Sequence, residues 1–137
     1  MAFWLFKTEP ATWSWDDQVA KAAAGEPWSG VRNHQAAKNM QAMALGDHGF
    51  FYHSGAERRI LGIVEVSGLY RPDPSDETGK FGLVEVTAIA AMPTPVTLAA
   101  IKANAALQPM VLVKNSRLSV QPVTAAEWRI VCKMGGL

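Results

Sequence analysis

The chain opens with large apolar side chains from Phe3 to Lys7, a run that reads as a strand and ends at Glu9-Pro10, because proline cannot continue a hydrogen-bonded ladder. Ser14 before Trp15-Asp16-Asp17 carries the signals of a helix start: a capping hydroxyl and acids in the first turn, followed by an alanine-rich body that Gly25 closes. Pro27-Trp28-Ser29-Gly30 is a loop by composition. Asn33 is placed to cap a second helix, in which Ala36, Met40 and Met43 share a face and which Gly46 ends.

From Asp47 to His53 the pattern returns to that of a strand. Ser54-Gly55-Ala56-Glu57 then forms a hairpin connection to a long strand from Arg59 to Leu69. Gly49, Gly62 and Gly68 inside these strands predict the bends of a closing barrel rather than a flat sheet. Arg71-Pro72-Asp73-Pro74-Ser75-Asp76 is an exposed loop by its prolines and short polar residues, and Phe81 to Ile89 resumes a strand with Val84 and Val86 on one face. Thr97 caps a short helix through Ile101. Ser116 to Pro122 alternates as a strand with one face exposed, and Thr124-Ala125-Ala126-Glu127 is a capping box ahead of a terminal helix that carries Trp128 and Val131. No repeat, low-complexity tract or linker interrupts the series.

Composition narrows the class. A chain of 137 residues, 49% hydrophobic and 18% charged, can bury one core as a single domain and has none of the marks of a disordered tail. Lys7 and Glu9 interrupt the N-terminal apolar run too early for a signal peptide, and no run approaches the ~20 residues of a membrane span. Cys132 stands alone, so there is neither an intramolecular disulfide nor a cysteine-based metal cluster, which suits a reducing, cytoplasmic setting. A net charge of +1 argues against the broad electrostatic grip of a protein that coats nucleic acid, while leaving room for a small basic rim around an aromatic pocket.

Four stretches place polar residues where packing alone would not require them: Lys7-Thr8-Glu9-Pro10, Trp28 to Ala36, Phe51-Tyr52-His53-Ser54, and Ser116-Arg117-Leu118-Ser119-Val120. With Gly62-Ile63-Val64-Glu65-Val66 and Pro72-Asp73-Pro74, they make the whole chain, 1–137, resemble a single EVE domain. That family belongs to the PUA superfamily, is related to the YTH readers of methylated RNA and includes the thymocyte nuclear proteins. The resemblance implies an α+β fold: a PUA-like curved β-barrel of about five to six mainly antiparallel strands flanked by short helices. It also implies a pocket that receives a flipped-out base, and a non-catalytic reader of a modified, cytosine-type base in DNA or RNA. Two positions depart from the pattern. His34 stands where the family often has tyrosine, and His48-Gly49 replaces a basic and then an apolar residue.

Holding one base takes an aromatic plate, worth ~1–3 kcal/mol, with donors and acceptors for the base edge and a cation for a phosphate. Trp28, in its Pro-Trp-Ser-Gly loop, either stacks on that base or plugs the barrel end, whereas Trp13 and Trp15 read as packing residues. Arg32 and Asn33 follow a glycine bend, where a cation and backbone amides can converge on a phosphate or base edge; a solvated charge and a pure helix cap are the alternatives. Gln35 reads a base edge or faces solvent. The resemblance puts His53 and Ser54 at the pocket mouth as hydrogen-bonding groups, with a structural histidine as the other reading. Lys7 and Glu9, two apart on a strand, either pair with each other or leave Glu9 to accept from a cytosine amino group. Arg117 is the cation for a phosphate, beside Ser116 and Ser119.

The residues expected to bind base or nucleotide are therefore Lys7, Glu9, Trp28, Arg32, Asn33, Gln35, His53, Ser54, Arg117 and Ser119, with no cofactor, no metal and no catalytic group. The partners expected are nucleic acid and a separate effector protein, not a membrane, and the chain is expected to be a monomer. Lys38, Arg58, Arg59 and Lys114 would add a weakly basic surface if they cluster. The rival reading is an enzyme, a ribonuclease or small amidohydrolase like those of the related ASCH domains, with Lys7, Glu9 and His53 as acid-base groups. Against it stands the lack of a nucleophile with its base. A third is an interaction domain with a vestigial pocket.

Overall fold

The computed structural model describes every residue from Met1 to Leu137. Six strands, β1 (Phe3–Thr8), β2 (Glu26–Pro27), β3 (His48–His53), β4 (Arg59–Pro72), β5 (Gly82–Thr97) and β6 (Val120–Val123), form one sheet in the order β2-β5-β4-β3-β1-β6. Only the β1–β3 pair is parallel. Five helices surround it: α1 (Trp15–Ala20), α2 (His34–Gln41), α3 (Leu98–Ala103), α4 (Val111–Lys114) and α5 (Ala125–Met134). Register shifts along β3–β4 and β4–β5 curl the sheet, but β2 and β6 remain its two edges, so the ladder does not close as the interior glycines had suggested.

The helix starts follow local chemistry. Ser14 and Thr124 each make a reciprocal capping box, the latter with Glu127 N–H donating to Thr124 Oγ1 at 3.1 Å and Thr124 N–H donating to Glu127 Oε1 at 3.0 Å. Asn33 Oδ1 accepts from Ala36 N–H at 2.9 Å and opens α2, and Thr97 caps α3.

Alternation along the strands divides the core between the two faces of the sheet. Trp4 and Phe6 of β1 point into one cluster with Phe51, Val64, Val84 and Val120, while Leu5 points into the other with Phe50, Ile60, Leu107 and Trp128. Gly49 and Gly62 are required for room. A Cβ on Gly49 would lie 2.5 Å from the Phe6 ring, and one on Gly62 would lie 2.3 Å from the Trp15 ring. These two glycines leave room for aromatic rings to pack directly against the strand backbone, and only Gly62 and Gly68 of the interior glycines sit at register shifts.

Several boundaries differ from the sequence expectation. Glu26–Pro27 pairs with β5, so the expected loop begins with a two-residue strand. α1 stops at Ala20 and gives way to a 3-10 turn over Ala22–Ala24 before Gly25. Arg71 and Pro72 pair with Leu83 and Gly82, which takes two residues from the expected loop, and β5 continues eight residues beyond Ile89 to Thr97. Ser116 to Ser119 is a turn rather than strand. Asn115 accepts the Arg117 N–H on its side chain at 3.3 Å, which breaks the alternation before Val120.

Candidate ligand-binding cavity

A cavity of about 300 Å3 opens where the C-terminal end of β1, the turn before α1, β2 and the loop after it meet. Lys7, Thr8, Thr12, Trp13, the segment from Glu26 to Arg32, and Ser119 line it.

The β2 edge places Trp28. Its N–H donates to Val84 carbonyl at 2.8 Å, extending the ladder by one residue. The indole is 8% exposed, set edge-on against Phe6 and Phe51 with centroids 5.3 and 5.7 Å away. Trp28 thus plugs the end of the sheet and forms a wall of the cavity at once, which makes its two sequence readings compatible. Trp13 is half-buried and fixed at both ends. Thr8 hydroxyl donates to its carbonyl at 3.0 Å, and its indole N–H donates at 3.0 Å to Gln18 Oε1, while Gln18 Nε2 donates to Val86 carbonyl.

Asp73 anchors the Gly30–Arg32 part of the lining. Its buried carboxylate accepts from Gly30 N–H at 2.8 Å and Arg32 Nη1 at 3.2 Å on one oxygen, and from the N–H and hydroxyl of Ser75 at 2.8 and 2.6 Å on the other. Burial alone would raise this carboxyl, but hydrogen bonds from Ser75, Gly30 and Arg32 outweigh it and bring its pKa down to about 2. Gly30 turns the chain at φ +83° with open space on its Cα, so the segment bends there without strain. Arg32 is held further by Ser75 hydroxyl at 3.0 Å and lies 5.8 Å from the Phe81 ring centroid. His34, where the family pattern has tyrosine, packs on the same Phe81 ring at 4.9 Å.

Lys7 donates from Nζ to Ser116 carbonyl at 2.6 Å, tying the Ser116–Ser119 turn to β1, and burial pushes its pKa below the ordinary value. The ammonium also lies 5.7 Å from the Tyr52 ring centroid, on the face of the sheet away from Trp28, so it is the Lys7 backbone and stem that border the cavity.

Of the residues singled out from sequence, the fold brings Lys7, Trp28, Arg32 and Ser119 together on this cavity. Arg117 is exposed two residues from Ser119. Asn33 spends its side-chain oxygen on the α2 cap, and Gln35 donates to Asn39 at 3.1 Å; neither lines the cavity. Glu9 lies outside, beyond the end of β1, with Ser54 hydroxyl 3.4 Å away and no ion pair to Lys7. His53 takes the structural one of its two readings. It is 6% exposed, its Nε2 accepts the Trp15 N–H at 2.9 Å, and its Nδ1 lies 2.9 Å from Glu57 Oε1. That pattern puts the ring proton on Nδ1 and makes His53 a brace for the start of α1, off the cavity. Thr12 and Glu26 line the cavity without having been singled out, Thr8 and Ser29 do so from stretches marked only as a group, Trp13 does so although it read as a packing residue, and Asp73 supports the lining. One signal was legible for Trp13: it directly precedes the Ser14 cap, so its side chain projects from the entering chain rather than from the packed face of α1.

The residue pattern and the fold have counterparts among known proteins. The EVE domain family model matches residues 2–134. A solved protein from Rhodopseudomonas palustris is 57% identical, superimposes with a TM-score of 0.94, and the match covers 99% of this chain and 94% of that one. Human Thymocyte nuclear protein 1 is 29% identical over 96% of this chain and 72% of its own length. The human THYN1 protein solved in complex with 5-methylcytosine-containing DNA is 30% identical, with a TM-score of 0.92 over 100% of this chain and 99% of that one. With its curled six-stranded sheet and flanking helices, and a family match over nearly its whole length, this chain belongs to the EVE domain family, on an α+β fold of the PUA-like kind.

Proposed function

We propose that this protein is a reader of nucleic acid that takes one base, flipped out of its strand, into the cavity between Trp13 and Trp28, and that the base is a modified cytosine. The observation that carries this reading is the cavity itself: two indoles, the Arg32 cation, and hydroxyls at Thr8, Thr12, Ser29 and Ser119, in a space near the lower end of the roughly 300–1,000 Å3 range of small-ligand pockets. A space of that size suits one base and not a longer stretch of strand. Supporting it, the human THYN1 chain that matches this fold over 99% of its solved length was solved with 5-methylcytosine-containing DNA.

Phosphate contacts fall to the rim. Arg117 is exposed beside the Ser119 side of the cavity, and Arg32 stands at the other side with its guanidinium oriented by Asp73 and Ser75. A buried methyl group adds only ~0.8 kcal/mol, so preference for the modified base is modest unless the unmodified base is also penalised.

The positions of the acid-base candidates favour binding over hydrolysis. Glu9 is outside the cavity, and His53 has both ring nitrogens committed to Trp15 and Glu57, so Lys7, Glu9 and His53 do not converge on one point.

The test is binding of short DNA and RNA oligonucleotides carrying cytosine, 5-methylcytosine or 5-hydroxymethylcytosine at one fixed salt concentration, with Trp13→Ala and Arg117→Ala alongside. Tighter binding of a modified oligonucleotide that both substitutions weaken supports the reading. Equal and negligible binding throughout, or cleavage of a labelled oligonucleotide, overturns it.

A further inference from the structure

The cavity's hydrogen-bonding inventory is lopsided. Arg32 only donates, the four hydroxyls can do either, and one lining side chain, Glu26, is a carboxylate that only accepts. Glu26 is half-buried on β2, where its backbone pairs opposite Val86, and it lies two residues before Trp28 on the same extended segment. Alternate residues of an extended chain project to the same side, so the carboxylate stands next to the indole wall, about 7 Å along the strand. Lys21 Nζ reaches Glu26 Oε1 at 3.4 Å and is itself 46% exposed, which leaves Glu26 Oε2 without a partner.

We infer that Glu26 is the specificity-determining residue of the cavity, accepting a hydrogen bond from the exocyclic amino group of the bound base. The inference rests on the base-reading role proposed above and deepens it. A group that only accepts is satisfied only by a base edge that donates. Cytosine offers its 4-amino group to such a carboxylate. Thymine and uracil offer one ring N–H set between two carbonyl oxygens, whose lone pairs repel the same group. Glu9, which the sequence suggested for this contact, lies off the cavity, and Glu26 supplies the same chemistry from the opposite side. Glu26 thereby selects amino-bearing bases and rejects their deaminated counterparts, whatever the substituent at position 5.

The matched pair that tests this is 5-methylcytosine against thymine in otherwise identical single-stranded oligonucleotides, since the two share the 5-methyl group and differ only on the edge in question, where the 4-amino group becomes a carbonyl and N3 gains a proton. The unmodified protein is expected to prefer 5-methylcytosine by roughly 5- to 100-fold. Glu26→Gln, whose amide can donate to the thymine carbonyl, is expected to cut that ratio at least about fivefold while binding persists. Lys21→Met, which removes only the external ion pair, is expected to keep the preference. An unchanged ratio in Glu26→Gln overturns the inference and leaves the reader role standing. Binding of neither oligonucleotide by the unmodified protein overturns the reader role and the inference together.

Discussion

Asp73→Asn is expected to weaken both the fold and the cavity. The carboxylate accepts four hydrogen bonds, two on each oxygen, while its side chain is fully removed from solvent. An asparagine can present its oxygen to only one of those pairs and must turn an NH2 donor toward the other. Moving a carboxyl from 3.8 to about 2 corresponds to about 2 kcal/mol of stabilisation of the charged form. Leaving donors unpaired in a buried site costs about 1–3 kcal/mol. These two figures overlap, so the expected loss is about 3 kcal/mol, or about 10 °C in Tm for a domain of this size. The sign of the pH dependence follows from the lowered value. This stability is fully present above the ordinary carboxyl pKa of 3.8 and is lost as pH falls through the folded value of about 2. Urea denaturation at neutral pH, repeated between about pH 4 and pH 2, measures both effects. The variant should lose stability at neutral pH and show a shallower acid limb, and its oligonucleotide affinity should fall because Gly30 and Ser75, which orients Arg32, can no longer both be held. A loss below about 1 kcal/mol with an unchanged acid limb would refute the assignment of Asp73 as the anchor of that part of the lining.

Trp28→Ala removes a ring buried against Phe6 and Phe51 and is expected to cost about 3–5 kcal/mol by urea denaturation, so its binding defect would mix folding with recognition. Trp13→Ala, at a half-buried position, should weaken oligonucleotide binding with a smaller loss of stability. Gly62→Ala puts a Cβ 2.3 Å from the Trp15 ring and should lower stability by about 1–3 kcal/mol in the same assay, with hydrogen exchange rising first in α1. His53→Phe leaves the buried Trp15 N–H without its acceptor and should destabilise by about 1–3 kcal/mol, and on the reader proposal single-turnover assays are expected to show no nucleic-acid cleavage by the variant or the unmodified protein.

How much of this was legible in one dimension depends on the range of the interactions involved. Helix starts depend on residues three apart, so the caps at Ser14, Asn33, Thr97 and Thr124 could be read directly. Strand positions followed from apolar runs, and the distinctive segments from Lys7 to Ser119 pointed to the family on which the fold rests. The candidate cavity was legible in part. Trp28, Arg32, Lys7 and Ser119 stood out because their residue types exceed what packing needs.

Register and side-chain pairing over long separations were decided only in three dimensions. Whether Glu9 or Glu26 faces the cavity depends on where β1 ends and how β2 pairs with β5, which neither residue's neighbours encode. His53 reads the same in sequence whether it faces a ligand or braces Trp15, 38 residues away, and only the packing of α1 against β3 decides. Gly49 and Gly62 looked like bends because sequence records the absence of a side chain and not the ring that fills the space. The sequence by itself determined most of the local elements and the family, since those rest on short-range chemistry and pattern, while the division of the core between the two faces of the sheet came only from the tertiary structure. The tertiary structure decided which polar groups are spent on one another, as at Asp73, and which remain free to meet a ligand, because satisfying a buried hydrogen bond is a property of contacts between distant parts of the chain.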